Sequence, residues 1–144
     1  MSMRTVIFFG LLTLALNANA QESGKETKAA EPETFTMEYG DSTIVMQKYF
    51  IAFLKAGPNR SQSKEEAEEI QKKHLAHLTR IYEQGKTSIT GPFASDGEIR
   101  GIVIFNTSTM EEAKKLANED PAVKAGRLVV EILPWWAMKG ATLK

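Results

Sequence analysis

The stretch Lys48–Leu54, KYFIAFL, is apolar at both alternating sets of positions. In an extended chain Tyr49, Ile51 and Phe53 share one face, and Phe50, Ala52 and Leu54 share the other. A strand apolar on both faces must be covered on both faces. The segment lies within FTMEYGDSTIVMQKYFIAFLKAGPNR, residues 35–60. That longer stretch predicts a first strand, a Gly40-Asp41 turn and a long second strand that stops at Gly57-Pro58.

Downstream, Ser61 to Gln84 predicts a helix. Ser63 with Glu66 fits a capping box, and Gly85 is a stop. Ile70, His74, Leu78 and Ile81 recur at helical spacing, flanked by Ala67, Leu75 and Tyr82. KTSITGPF, residues 86–93, reads as a short strand, and Asp96-Gly97 as a turn. IRGIVIFN, residues 99–106, is a strand that is again apolar on both faces: Ile102 and Ile104 alternate with Val103 and Phe105. A second helix is expected from about Thr109 to Asn118, capped by Thr109 with Glu112. Its narrow buried stripe is Met110, Ala113, Leu116 and Ala117. Pro121 ends it, and PAVKAG, residues 121–126, adds about one turn. RLVVEIL, residues 127–133, is the last expected strand, and PWWAMKGATLK, residues 134–144, reads as a tail.

The order is β-α-β-β-α-β with one added N-terminal strand. This is an α+β, ferredoxin-like split arrangement, with both helices on one face of an antiparallel sheet. The second face has no helix to cover it. Two copies packed sheet to sheet as a dimer would bury it. Cover by the N-terminal hairpin or by the tail is the alternative.

Composition bounds the function. The 144 residues carry 18 basic and 18 acidic side chains, so no net field draws nucleic acid or an anionic membrane. With no cysteine, disulfides, thiolate nucleophiles and thiolate metal sites are excluded. Met1–Ala20, MSMRTVIFFGLLTLALNANA, has one basic residue, a short apolar run and an Ala-Asn-Ala cleavage pattern. It is expected to be a secretory signal peptide cleaved after Ala20. Its apolar run, Val6 to Leu16, is shorter than the ~20 residues of a membrane-spanning helix. Residues 21–34, QESGKETKAAEPET, are a polar leader expected to be disordered. The domain proper is expected over 35–144, in a periplasmic or secreted protein.

His74 is the residue that needs explaining. It sits in an apolar stripe where leucine would pack without having to satisfy a polar ring, and an unsatisfied buried polar group costs about 1–3 kcal/mol. One reading is a packed histidine bonded to a backbone carbonyl. The other is a functional group with a partner, and Asp120 at the end of the second helix is the natural candidate. A carboxylate there faces the negative end of the helix dipole and needs compensation, unless it is merely a solvated residue before a proline. His74 and His77 form an H-x-x-H pair. No third metal ligand is signalled, Glu66, Glu69 and Asp120 being the only candidates, so a metal site is not expected and His77 is placed at the edge of the stripe. Arg80, Arg100 and Arg127 are candidate anion contacts, and Ser88 and Thr90 candidate hydroxyl donors. Trp135 and Trp136 would wall a pocket or cover an edge. No nucleophile elbow, phosphate loop or dinucleotide glycine pattern occurs.

HLAHLTRIYEQGKTSITGPF, residues 74–93, followed by IRGIVIFNTSTMEEAKKLANEDPAVKAGRLVVEILPWW, residues 99–136, resembles the YCII-related family. The shared features are the histidine opening H-L-x-x-L, the Gly-Pro after the strand, the helix-ending Asp-Pro and the Ala-Gly before the last strand. The resemblance implies a dimeric α/β barrel of ferredoxin-like protomers. It also implies a His–Asp acid/base dyad in a pocket, and the matching positions are His74 and Asp120. One branch resembles a dehydrochlorinase of a chlorinated hydroxyquinol, and barrel relatives include muconolactone isomerases. The chain departs from the family pattern in its signal segment and its added hairpin. The expectation is therefore an exported homodimer with a small-molecule pocket and cofactor-free lyase- or isomerase-like chemistry. The alternative is a binding or accessory module in which the His–Asp pair is structural.

Overall fold

A computed structural model describes residues 30–143. The signal segment and residues 21–29 of the leader lie outside the described residues. The elements are β1 (Thr34–Tyr39), β2 (Ser42–Ala56), α1 (Lys64–Glu83), β3 (Thr87–Pro92), β4 (Ile99–Phe105), α2 (Met110–Asn118), α3 (Pro121–Lys124) and β5 (Leu128–Met138). Every strand pairing is antiparallel. β2 lies between β5 and β4, and β3 pairs β4 on its outer side. That is the α+β, ferredoxin-like order, with β1 as the addition.

Each boundary has a local cause. Gly40, at φ +59°, makes the tight turn between β1 and β2. Ser63 caps α1 with the reciprocal Glu66 bond of a full capping box. Thr109 caps α2 by accepting from the Glu112 amide, but the Glu112 carboxylate turns instead to Lys86 at 2.6 Å. The end of the leader is attached to the sheet. The Lys48 amide donates to the Glu33 carbonyl at 2.9 Å, and its ammonium pairs with the Glu33 carboxylate at 2.6 Å.

The core lies between the helices and one sheet face. Phe50, Ala52 and Leu54 meet Val103 and Phe105 from β4, with Ile81, Ala113 and Ala117 from the helices above. The alternation expected for KYFIAFL therefore holds. On the opposite face Tyr49 and Ile104 are buried, while Val129, Leu133 and Trp135 remain 40–47% exposed. No described element covers that face. The N-terminal hairpin does not fold over it, because β1 extends the sheet alongside the first half of β2.

The final strand corrects the sequence reading. Residues 134–138 are not a tail: β5 runs to Met138 and pairs β2 from Ala56 back to Met46. Pro134 sits opposite Phe50 in this ladder. Among the described residues β5 pairs on one side only, and an edge strand tolerates a residue that has no N–H to donate. The two tryptophans then point to opposite faces. Trp136 meets Phe35 edge-on at 4.8 Å, and Trp135 tilts against Tyr49 at 6.3 Å.

Candidate functional site

α1 presents His74, His77 and Ile81 as its buried residues. They are spaced three and four apart, so they line one face of the helix. α3, the short helix after α2, packs against that face. Asp120 is the junction residue. It follows α2 and caps α3, with Pro121 in the first helical position, where a missing N–H costs nothing. Its Oδ1 accepts from the Ala122 amide at 2.8 Å. The expected clash with the α2 dipole is thus offset, because the carboxylate serves the N-terminal end of the next turn of helix.

The second oxygen meets the histidine. His74 Nδ1–H donates to Asp120 Oδ2 at 2.7 Å, and both residues are buried, at 7% and 3% exposure. The ring is therefore anchored at Nδ1, and Nε2 is the nitrogen left for a ligand. His74 lines a cavity of about 1010 Å³ that runs from α1 to β3 and β4. The wall is mostly apolar, with Leu75, Leu78 and Tyr82 from α1 and Ile89 from β3. Ser88 and Thr90 do line it, as the sequence suggested. Gln71, one turn before His74, also lines it, as do Ala141 to Leu143 near the C-terminus. Sequence reasoning missed both. The i−3 spacing from His74 was a signal for Gln71, whereas nothing local pointed to Ala141–Leu143.

His77 is not an edge residue. It is 7% exposed, and both ring nitrogens are committed. The Asp120 amide turns to the Ala117 carbonyl at 3.3 Å, leaving the Leu116 carbonyl at the end of α2 without that partner. His77 Nε2–H donates to this carbonyl at 3.0 Å. Arg80 donates to His77 Nδ1, also at 3.0 Å, and reaches Glu119 at 3.5 Å. Arg80 is thus a brace between the helices rather than an anion contact. With these commitments His77 is not offered to a metal, and among the described residues no group of three or more His, Asp or Glu converges.

This network has a pH consequence. Burial pushes the His77 pKa below its ordinary 6.5; the nearby Asp120 carboxylate opposes the shift, and the Arg80 guanidinium adds to it. Glu119 faces the same cluster and opposes it weakly. A histidine that binds its proton less readily when folded contributes stability in full above 6.5. That contribution is lost as pH falls through the lower, folded value. Melting temperature should therefore drop more steeply as pH falls below about 6.5 in the wild type than in His77→Gln, which keeps a donor and does not titrate. Parallel slopes in the two proteins would contradict this assignment.

Arg100 lines the cavity, and with Arg127 it lines a smaller recess of about 290 Å³ that shares Gln71, Arg100 and Leu128 with the cavity. Among the described residues no helix is long and apolar enough to cross a membrane.

No match was found among curated proteins. A solved structure, 5-chloro-2-hydroxyhydroquinone dehydrochlorinase from Burkholderia phenoliruptrix AC1100 in complex with 2,5-dihydroxybenzoquinone, is 21% identical to the chain. It covers 60% of this chain and 92% of that one, at a TM-score of 0.47. The YCII-related domain profile matches residues 49–136, from the middle of β2 into β5 and including both His74 and Asp120. The chain belongs to the YCII-related domain family.

Proposed function

We propose that this chain binds a small molecule in the α1–β3–β4 cavity and acts on it by cofactor-free acid/base chemistry. His74 Nε2 is the base or acid, and Asp120 orients and charge-stabilises the imidazole. One observation carries this reading: a buried histidine anchored at Nδ1 by a carboxylate, on the wall of a cavity large enough for a small organic ligand. A base held this way abstracts a proton from an acidic carbon; in an isomerisation the proton returns at another carbon, and in an elimination the C–H electron pair forms the double bond as the leaving group departs with its own bonding pair. The reaction class is elimination or isomerisation, and such a group contributes about 10²–10⁴-fold to rate.

The ring nitrogens give the test. In protein labelled with ¹⁵N-histidine, His74 should show Nδ1 protonated and Nε2 unprotonated in its neutral form, and its signals should move when a cavity ligand binds. The opposite tautomer would remove the base from the cavity and end this reading. A second reading is favoured by the complete satisfaction of the Asp120 oxygens, which tie α1 to α3. In that case the pair is structural and the chain is a non-catalytic binding or accessory module.

The assembly and location belong to the same proposal. Val129, Leu133 and Trp135 form an apolar sheet face that a second copy would cover, closing a dimeric barrel. The mature protein is proposed to start at Gln21 and to reside in the periplasm or outside the cell. Sedimentation at micromolar concentration should give a dimer, and N-terminal sequencing of protein from its native host should read Gln21 first. A monomer would remove the barrel, and an intact Met1 would remove the export.

A further inference from the structure

We infer that the cavity takes an amphiphilic organic acid, with its oxyanion head held by arginines at one end and its apolar body lying along α1. The inference rests on the proposed reading of the cavity as a small-molecule site and adds the ligand's chemical class.

The recess at the end of the cavity is lined by Arg60, Arg100 and Arg127, together with Gln71, Ala122 and Leu128. Three of these, Gln71, Arg100 and Leu128, also line the main cavity, so the two spaces share a wall. The arginines come from three separate parts of the fold: the loop after β2, the start of β4 and the turn before β5. Their convergence is a property of the tertiary structure rather than of one charge run.

Their charge is largely uncompensated among the described residues. Among the described residues, no carboxylate lies within ion-pair distance of Arg60 or Arg127. Arg100 reaches Asp96 at 3.5 Å, but that carboxylate is fully exposed, and such a pair is weak and screened. Arg127 is half-buried, and its guanidinium donates to Gln62 Oε1 at 2.9 Å. A neutral amide fixes the orientation of the fork without cancelling its charge. Asp120, the nearest buried carboxylate by sequence to Ala122, is already committed to His74 and the Ala122 amide. Cations gathered in a concave wall focus their field into it. The guanidinium fork matches the paired oxygens of a carboxylate or a phosphate ester.

The rest of the cavity supplies the complement. Leu75 and Tyr82 are more than half exposed on α1, yet both line the cavity, and Leu78 and Ile89 continue the same wall. A ligand with its head in the recess would run its body along these side chains. His74, one turn beyond Gln71, stands between the two ends. An acid held by its head therefore presents the carbons next to that head to His74.

Three compounds sharing one ring system test this: 1-naphthaleneacetate, 1-naphthyl phosphate and the neutral 1-naphthaleneacetamide. Calorimetry on the whole mature protein should show at least one acid binding about tenfold or more tighter than the amide. Arg100→Gln should reduce that preference, and Arg100→Gln with Arg127→Gln should abolish it while affinity for the amide is kept. The preferred acid identifies the head. Should the double variant lose its near-ultraviolet circular dichroism, Arg100→Gln alone decides, because Arg100 is exposed on its strand. Equal binding of acids and amide, or a preference that survives in Arg100→Gln and in a folded double variant, overturns the inference. Naphthyl binding that moves the His74 signals without acid preference would leave the cavity reading standing and remove only the anion end. Conversely, an acid preference kept in Asp120→Asn with an unchanged His74 tautomer would remove the dyad and keep the anion end.

Discussion

Gly57→Ala is expected to cost about 3 kcal/mol of stability, a drop of roughly 10–20 °C in melting temperature. A β-carbon at this position would be driven against the Gly126 carbonyl oxygen and would stand 2.7 Å from the Arg127 carbonyl carbon. Both neighbours are backbone, so no rotamer change relieves the contact. The close approach is held by three hydrogen bonds. Gly57 N–H donates to the Arg127 carbonyl at 2.8 Å, Asn59 N–H to the Gly126 carbonyl at 3.1 Å, and the Asn59 side-chain amide to the Ala125 carbonyl at 3.0 Å. Moving the strands apart weakens these bonds at the junction that sets Arg60 beside Arg127. Gly91→Ala is the control. Nothing lies within 4 Å of its added β-carbon, and its change should stay below about 1 kcal/mol. Thermal melts of the two variants side by side decide the matter, and equal melts would mean that the junction yields freely.

What could be read from the sequence was what local physics fixes. The double alternation in KYFIAFL marked β2 as a strand with two apolar faces, and Ser63 with Glu66 marked the start of α1. The β-α-β-β-α-β order follows from such local signals. His74 stood out because an ionisable ring in an apolar stripe demands a partner. Four features were not legible. His77 was placed at the edge of the stripe because the 3.6-residue period admits a face centred on either flank. The buried face is decided by α2 and α3, whose packing on that side no local pattern shows. β5 was stopped at Leu133 because Pro134 reads as a strand breaker; only the knowledge that β5 is an edge strand removes that objection. Asp120 was read as the end of one helix, whereas it is also the start of the next. The arginine recess gathers positions 60, 100 and 127, which no window of sequence brings together.

Asp120→Asn should change function far more than stability. The carboxamide has the shape of the carboxylate, but its two ends are no longer equivalent. The Ala122 amide needs an acceptor, which holds the carboxamide oxygen where Oδ1 now sits. The NH₂ group is then left facing His74 Nδ1, which must accept rather than donate. The imidazole proton moves to Nε2, and the lone pair available to the cavity is lost. Stability should fall by only about 1 kcal/mol, since one hydrogen bond is exchanged for a weaker one. Any turnover that depends on His74 as base should fall by about 10²–10⁴-fold. Asp120→Ala behaves differently. It removes the α3 cap and leaves a buried ring N–H unpaired, at a combined cost of about 3 kcal/mol. The pair of variants therefore separates the two readings of the dyad. If the carboxylate is there for chemistry, the asparagine protein keeps its fold, reverses the His74 ring-nitrogen signals and loses turnover. If it is there only to tie α1 to α3, the asparagine protein keeps whatever binding the wild type has, and only the alanine protein is impaired. Retention of a protonated Nδ1 in Asp120→Asn would show that the carboxylate does not set the tautomer, and the acid/base assignment would fall with it.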